Sequence, residues 1–194
     1  MKTVILTTLS LFLLAVAGAV AFVYSGVFNV AADEPHSTVV HAVLETARVR
    51  SIKAQAAGIV VPGGFDEEAK IISAAGHFSE HCVTCHGAPG AKAGETAQGM
   101  YPKPPDLTHV SERFRPAELF WIIKHGLKMS GMPSMAHDGD AMLWSTVAFL
   151  QRLPHMSGED YNGLWMKAQA QNGEGHNMGG MNMHGAGATD AEKH

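Results

Sequence analysis

The chain has two cysteines, and they stand three positions apart in the stretch His81-Cys82-Val83-Thr84-Cys85-His86-Gly87. A pair so close, with a histidine directly behind it, restricts the fold around it. A disulfide across two intervening residues closes too small a loop to stabilise much. A structural zinc site usually takes two separated ligand pairs, and only one pair of thiols is present, with no histidine pair read as its complement. A redox dithiol of this spacing belongs to a βαβ setting, and the sequence shows no strand pattern.

The N-terminus sets the compartment. Between Lys2 and Asp33 no residue is charged, and Thr3–Tyr24 is almost wholly apolar. A helix of about 20 apolar residues spans a bilayer core, whereas the apolar core of a cleaved signal runs to about 7–15. Length therefore favours an uncleaved anchor, and the small residues at Val30-Ala31-Ala32 leave cleavage open. The single lysine ahead of the segment favours a cytoplasmic N-terminus with the remainder outside. The net charge of −4 gives no basic footprint for nucleic acid.

The pattern divides the 194 residues into an anchor or signal (1–32), a stalk (33–64), a compact domain (65–154) and an extension (155–194). Ser37 is placed to cap a stalk helix reaching about Ala54, with Val40, Val43, Leu44 and Val49 as its apolar stripe. Three helices are predicted in the domain. The first runs from Asp66 to about His81, with Ile71, Ala74, Ala75 and Phe78 on one face. The second opens on Pro116 and stops at Gly126. The third runs from Gly139 to Arg152 and is ended by Pro154. An all-α domain of about ninety residues with a long Gly/Pro loop makes a poor core by itself, so a large apolar cofactor is expected at its centre. The tail from Asn172 is expected to be disordered.

Cys82-x-x-Cys85-His86 is also the attachment pattern of c-type haem. Each thiol adds to one vinyl group to give a thioether, and His86 follows at once to reach the iron. This reading uses every residue of the motif and fills the gap in the core. An iron that only passes electrons needs a second axial ligand, and methionine suits that position. Met129, Met132 and Met135 lie within seven residues after the second helix. Pro133 stiffens the backbone behind Met132. His77 and His81 read as partly exposed polar residues, His125 as a favourable partner of a helix C-terminus, and His137 as a loop residue. Phe120, Trp121 and Trp144 are expected in the core or on the haem.

FSEHCVTCHG, PPDL, FWIIKHGLKMSGMP and WSTVAFLQRLP, all within 66–154, resemble the class I c-type cytochromes, of the bacterial membrane-anchored single-haem kind. The stretch YSGVFNVAADEPHS is also similar to the N-terminal part of anchored members. The resemblance implies a small cytochrome c fold around one covalent haem c. It implies that Cys82 and Cys85 form the thioethers, that His86 is the proximal ligand, and that Met132 is the distal one, with Met129 the alternative. It also implies that the Pro105 carbonyl accepts a bond from His86, that Leu107 packs on the haem, and that Ala74 and Phe78 cross the third helix near Phe149. Members often carry glycine where this chain has Ala74.

The implied role is electron transfer, by a carrier rather than an enzyme, from the periplasmic face of the inner membrane. Partners would be a quinol-oxidising complex or dehydrogenase on one side and an oxidase or reductase on the other. A haem-based gas or redox sensor with a labile methionine is the competing reading. A third reading rests on the tail, where His176, Met178, Met181, Met183 and His184 are ligands that suit copper(I).

Overall fold

The computed structural model describes the backbone of residues 1–178 and the side chains of residues 1–171. The uncharged N-terminal run forms one helix, α1 (Lys2–Tyr24), of 23 residues. At about 1.5 Å per residue it is ~35 Å long, enough for a hydrocarbon core of ~30 Å. None of its side chains is buried against the rest of the chain, so its apolar surface fits a membrane anchor.

Helix α2 (Thr38–Ala56) begins where expected, with the Ser37 hydroxyl accepting the Val40 N–H at 3.4 Å. Its packing face differs from the expected stripe. Val43 and Leu44 are exposed, whereas Ile52 and Ala56 are buried, with Val49 packed partly beside them. The last two turns of α2 carry that face and rest on α7.

Helix α3 (Glu68–His81) starts two residues later than predicted. Arg152 accounts for the start: it pairs with Glu68 at 2.6 Å and donates to the Asp66 carbonyl at 3.1 Å. Three single-turn helices follow: α4 (Val83–His86), α5 (Glu95–Gln98) and α6 (Val110–Arg113). Four residues carry too little periodicity to announce a helix. Helix α7 (Pro116–His125) has the predicted bounds, and α8 (Asp140–Arg152) begins one residue late. A long helix, α9 (Gly158–Met178), was not foreseen. Its backbone continues through Asn172, where disorder was expected. Among the described residues there is no strand, in line with the predicted all-α class.

The core forms where α3 crosses α8. Ala74 and Ala75 on α3 are fully buried and let the helices approach. Phe78 then meets Phe149 at 5.0 Å between ring centroids, the crossing the resemblance implied. Each such aromatic side chain stabilises the fold by about 1.5–3 kcal/mol through burial. Helix α9 also packs against α3. Its Tyr161 is buried against Phe78, at 6.0 Å, and its Ala168 packs on Gly76 so closely that a Cβ there would sit 3.2 Å away. Helix α7 adds Leu119, Phe120, Ile122 and Ile123, and Phe120 stacks on Trp144 at 4.2 Å.

One charged residue is fully buried in this core. Glu118, 1% exposed, accepts from the Arg115 backbone N–H at 2.9 Å and from its guanidinium at 2.8 and 3.0 Å. Burial pushes its carboxyl up, but the Arg115 hydrogen bonds and the charges of Arg115 and Lys53 outweigh this and hold it below the ordinary carboxylate value.

Candidate functional site

Helix α3 hands the chain directly to the cysteine motif. The Cys82 N–H still donates to the Phe78 carbonyl at 2.9 Å, so Cys82 caps α3. The backbone then makes one further turn, in which Cys85 and His86 donate to the Cys82 carbonyl at 3.1 and 2.9 Å. Residues three apart on a helical turn are neighbours on one side, so α4 sets both thiols along one edge. Both are free and partly buried. Burial, helped by the charges of Asp138 and Cys85, pushes the Cys82 thiol up to about 12. A neutral thioether suits that environment better than a thiolate does.

The turn is closed behind His86. Gly87 has φ 74°, and a Cβ there would lie 2.7 Å from the Ala91 carbonyl oxygen, so only glycine fits. Ala88 and Ala91 exchange backbone bonds of 3.0 and 2.8 Å, and Gly94 donates to Thr84 at 3.0 Å. The chain returns through Pro104-Pro105-Asp106-Leu107. There Nδ1 of His86 meets the Pro105 carbonyl oxygen at 2.7 Å. A carbonyl only accepts, so Nδ1 carries the proton and Nε2 keeps its lone pair for a metal. Asp106 fixes this turn by accepting from the Thr108 hydroxyl at 2.5 Å and the Thr108 N–H at 2.7 Å. Those two bonds lower the Asp106 carboxyl, against a smaller opposing effect of burial. Leu107 packs against the core.

The methionine loop is built on the end of α7. Gly126 turns the chain at φ 65°, and the backbone of Met132 and Pro133 lies directly against it. Leu127 donates to the Met132 carbonyl at 3.2 Å. Ser130 donates to the Leu127 carbonyl at 2.8 Å and accepts the Met132 N–H at 3.2 Å. The three methionines separate clearly. Met129 has φ 58° and is 96% exposed, whereas Met132 and Met135 pack against the core. Met100, which nothing in its local pattern marked, lies over Gly131, so that a Cβ on Gly131 would meet its sulfur at 3.0 Å.

Residues 69–150 match the family model described as "Cytochrome C oxidase, cbb3-type, subunit III". These residues form a class I c-type cytochrome domain. No curated protein and no solved structure matches the chain. A cytochrome c domain carries covalently bound haem c and works by haem-based electron transfer. The donor set fits that group: two free thiols on one edge, an imidazole with Nε2 unencumbered, and a thioether on an ordered loop.

Other residues of the cytochrome domain fall out unevenly. Phe120 and Trp144 are core residues, and Trp121 is partly buried beside His125, at 5.2 Å. His125 is exposed in the last turn of α7, as expected. The His77 side chain, expected to be partly exposed, is only 8% exposed and has partners on both nitrogens. His77 and His81 do have the His-x3-His spacing of zinc sites, with rings 4.7 Å apart. Among the described residues, however, no group of three or more His, Cys, Asp or Glu side chains is arranged to hold a metal ion. Of the tail residues expected to suit copper(I), the side chains of His176 and Met178 and the whole of Met181, Met183 and His184 lie outside the described residues.

Proposed function

We propose that the chain is a membrane-tethered electron carrier whose haem iron is bound by His86 Nε2 and Met132 Sδ. The observation that carries this reading is the 2.7 Å contact between His86 Nδ1 and the Pro105 carbonyl. It fixes the tautomer and orientation of the ring before any metal is bound, and it makes the imidazole a better donor. The methionine assignment rests on burial. Met132 belongs to the bonded loop behind α7, while Met129 points into solvent. Cys82 and Cys85 would hold the haem through thioethers, and Leu107 would pack against it.

Haem supplies a reversible ferric–ferrous couple, and methionine opposite histidine raises its potential. The residues do the rest. His86 and Met132 would hold the iron and so leave small ligands no place on it. The α3–α7–α8 core excludes water and limits rearrangement between oxidation states. Helix α1 tethers the domain at the periplasmic face of the inner membrane and raises its effective concentration near membrane partners. The family match to an oxidase subunit supports a place beside a terminal oxidase, with electrons arriving from a quinol-oxidising complex or dehydrogenase.

Optical spectra of the ferrous and ferric holoprotein, with and without carbon monoxide, test the reading. The expected result is a ferric methionine–iron charge-transfer band and a ferrous spectrum unchanged by carbon monoxide. Met132→Ala abolishes the band, and Met129→Ala leaves it. Ready carbon monoxide binding by the unaltered protein would replace electron transfer with the sensor reading.

A further inference from the structure

One buried polar cluster has no part in the ligand set just described. His77 lies on α3, five residues ahead of Cys82. Its Nε2 is 3.0 Å from Asp138 Oδ2, and its Nδ1 is 3.2 Å from the Thr146 hydroxyl on α8. The side chains of His77 and Asp138 are 8% and 14% exposed. Asp138 ends the 3-10 turn Ala136–Asp138, six residues past Met132. The segment between them is pinned to α7 by two bonds. Ser134 donates to the Lys124 carbonyl at 2.7 Å, and Met135 donates to the Ile123 carbonyl at 3.1 Å. Both attach the loop to the helix it leaves. Asp138 instead attaches it to α3, the helix that leads into the cysteine motif.

We infer that His77 and Asp138 are positioning residues for the distal ligand: their buried pair locks the returning limb of the methionine loop onto α3, just ahead of the cysteine motif, and so holds the Met132 sulfur in place. The inference rests on the His86/Met132 reading. A thioether is a neutral, weak ligand, and a site of this kind is only as firm as the residues that support it. With partners on both nitrogens, the His77 ring has no free rotation to give. Removing either member leaves the other buried without its main partner, a state the loop relieves by moving outward. The charged neighbours of the pair are His81 and Glu80 on α3 and His137 on the turn. The His81 ring is 4.7 Å from His77, Glu80 is 3.9 Å from His81, and His137 Nε2 is 3.2 Å from Asp138 Oδ1. From α8 the pair is faced by the uncharged Thr146.

The test is an alkaline titration of the ferric holoprotein, following the methionine–iron charge-transfer band until a base displaces the sulfur. A tenfold weaker hold on methionine lowers the midpoint by about one pH unit when exchange releases one proton. Asp138→Ala and His77→Ala are each expected to lower it by about that much or more, and the double variant to fall no further. Asp138→Asn keeps an oxygen to accept from Nε2–H and is expected to retain most of the wild-type midpoint. If Asp138→Ala yields no holoprotein, Asp138→Ser, too short to reach the ring, takes its place. Midpoints within about 0.3 unit of wild type in both single variants overturn the inference, even if thermal stability falls, because a purely structural pair would do that. An Asp138→Asn midpoint as low as that of Asp138→Ala also overturns it, since charge and not the bond would then be responsible. A wild-type protein with no band at any pH refutes the His86/Met132 ligation itself, and this inference falls with it.

Discussion

Gly126 joins the fold to the methionine loop, and its replacement by alanine should show how tightly. Its φ of 65° and ψ of −170° lie in a region open essentially to glycine, where another residue costs about 1–3 kcal/mol. The added Cβ would also lie 2.6 Å from the carbonyl carbon and oxygen of Pro133 and 2.7 Å from the Met132 carbonyl oxygen. These are backbone atoms, so no side chain can swing aside. The loop must open toward the 3.4 Å of ordinary contact, an overpacking strain of about 1–3 kcal/mol. Gly126→Ala should therefore destabilise the holoprotein by about 2–6 kcal/mol. Gly139 offers a control: its φ is 80° and ψ 149°, but a Cβ there meets nothing within 4 Å. Gly139→Ala should lose only the backbone share, about 1–3 kcal/mol. Guanidinium unfolding, followed both by far-UV circular dichroism and by the charge-transfer band, separates the two. In Gly126→Ala the band should vanish at lower denaturant than the helical signal. Equal losses in the two variants, or a Gly126→Ala loss under about 0.5 kcal/mol, would refute the claimed contact between Pro133 and the end of α7.

Phe149 is fully buried between Phe78 and Tyr161, so Phe149→Ala should cost about 3–5 kcal/mol in equilibrium unfolding. Glu118 has a carboxyl lowered on folding, so its contribution is complete above the unfolded value of about 4.3 and is lost as pH falls through the folded value. Glu118→Gln should lower stability at pH 7 and flatten the acid limb of stability against pH, measured by urea unfolding from pH 7 down. Deleting residues 1–32 should move haem-stained protein from the membrane fraction to the soluble one, as seen by fractionation and gel staining, and retention in the membrane would argue that another surface anchors it.

The motif chemistry was readable from the chain. Cys82, Cys85 and His86 are adjacent in sequence, and one helical turn brings them to one side without help from elsewhere. The Thr3–Tyr24 run specified its own helix, and Pro116 and Gly126 marked α7 to the residue, because caps are local events. Pattern failed where partners are distant. The buried face of α2 was misassigned because the burial of Ile52 and Ala56 comes with the packing of α2 on α7. Helix α9 was missed because its weak apolar pattern matters only once Tyr161 and Ala168 meet α3. His77 read as a partly exposed residue because Asp138 lies sixty-one positions away.

The sequence alone thus determined the Cys82–His86 turn, the uncharged N-terminal helix and the all-α class. These follow from residue types at short spacing, where bonded geometry leaves little freedom. Which nitrogen of His86 is left free, which of three methionines stays in solvent, and what ties their loop to α3 were decided only by the tertiary structure. Each depends on a carbonyl, a glycine or a carboxylate brought into contact from far along the chain, and only the packing of α3, α7 and α8 brings them together.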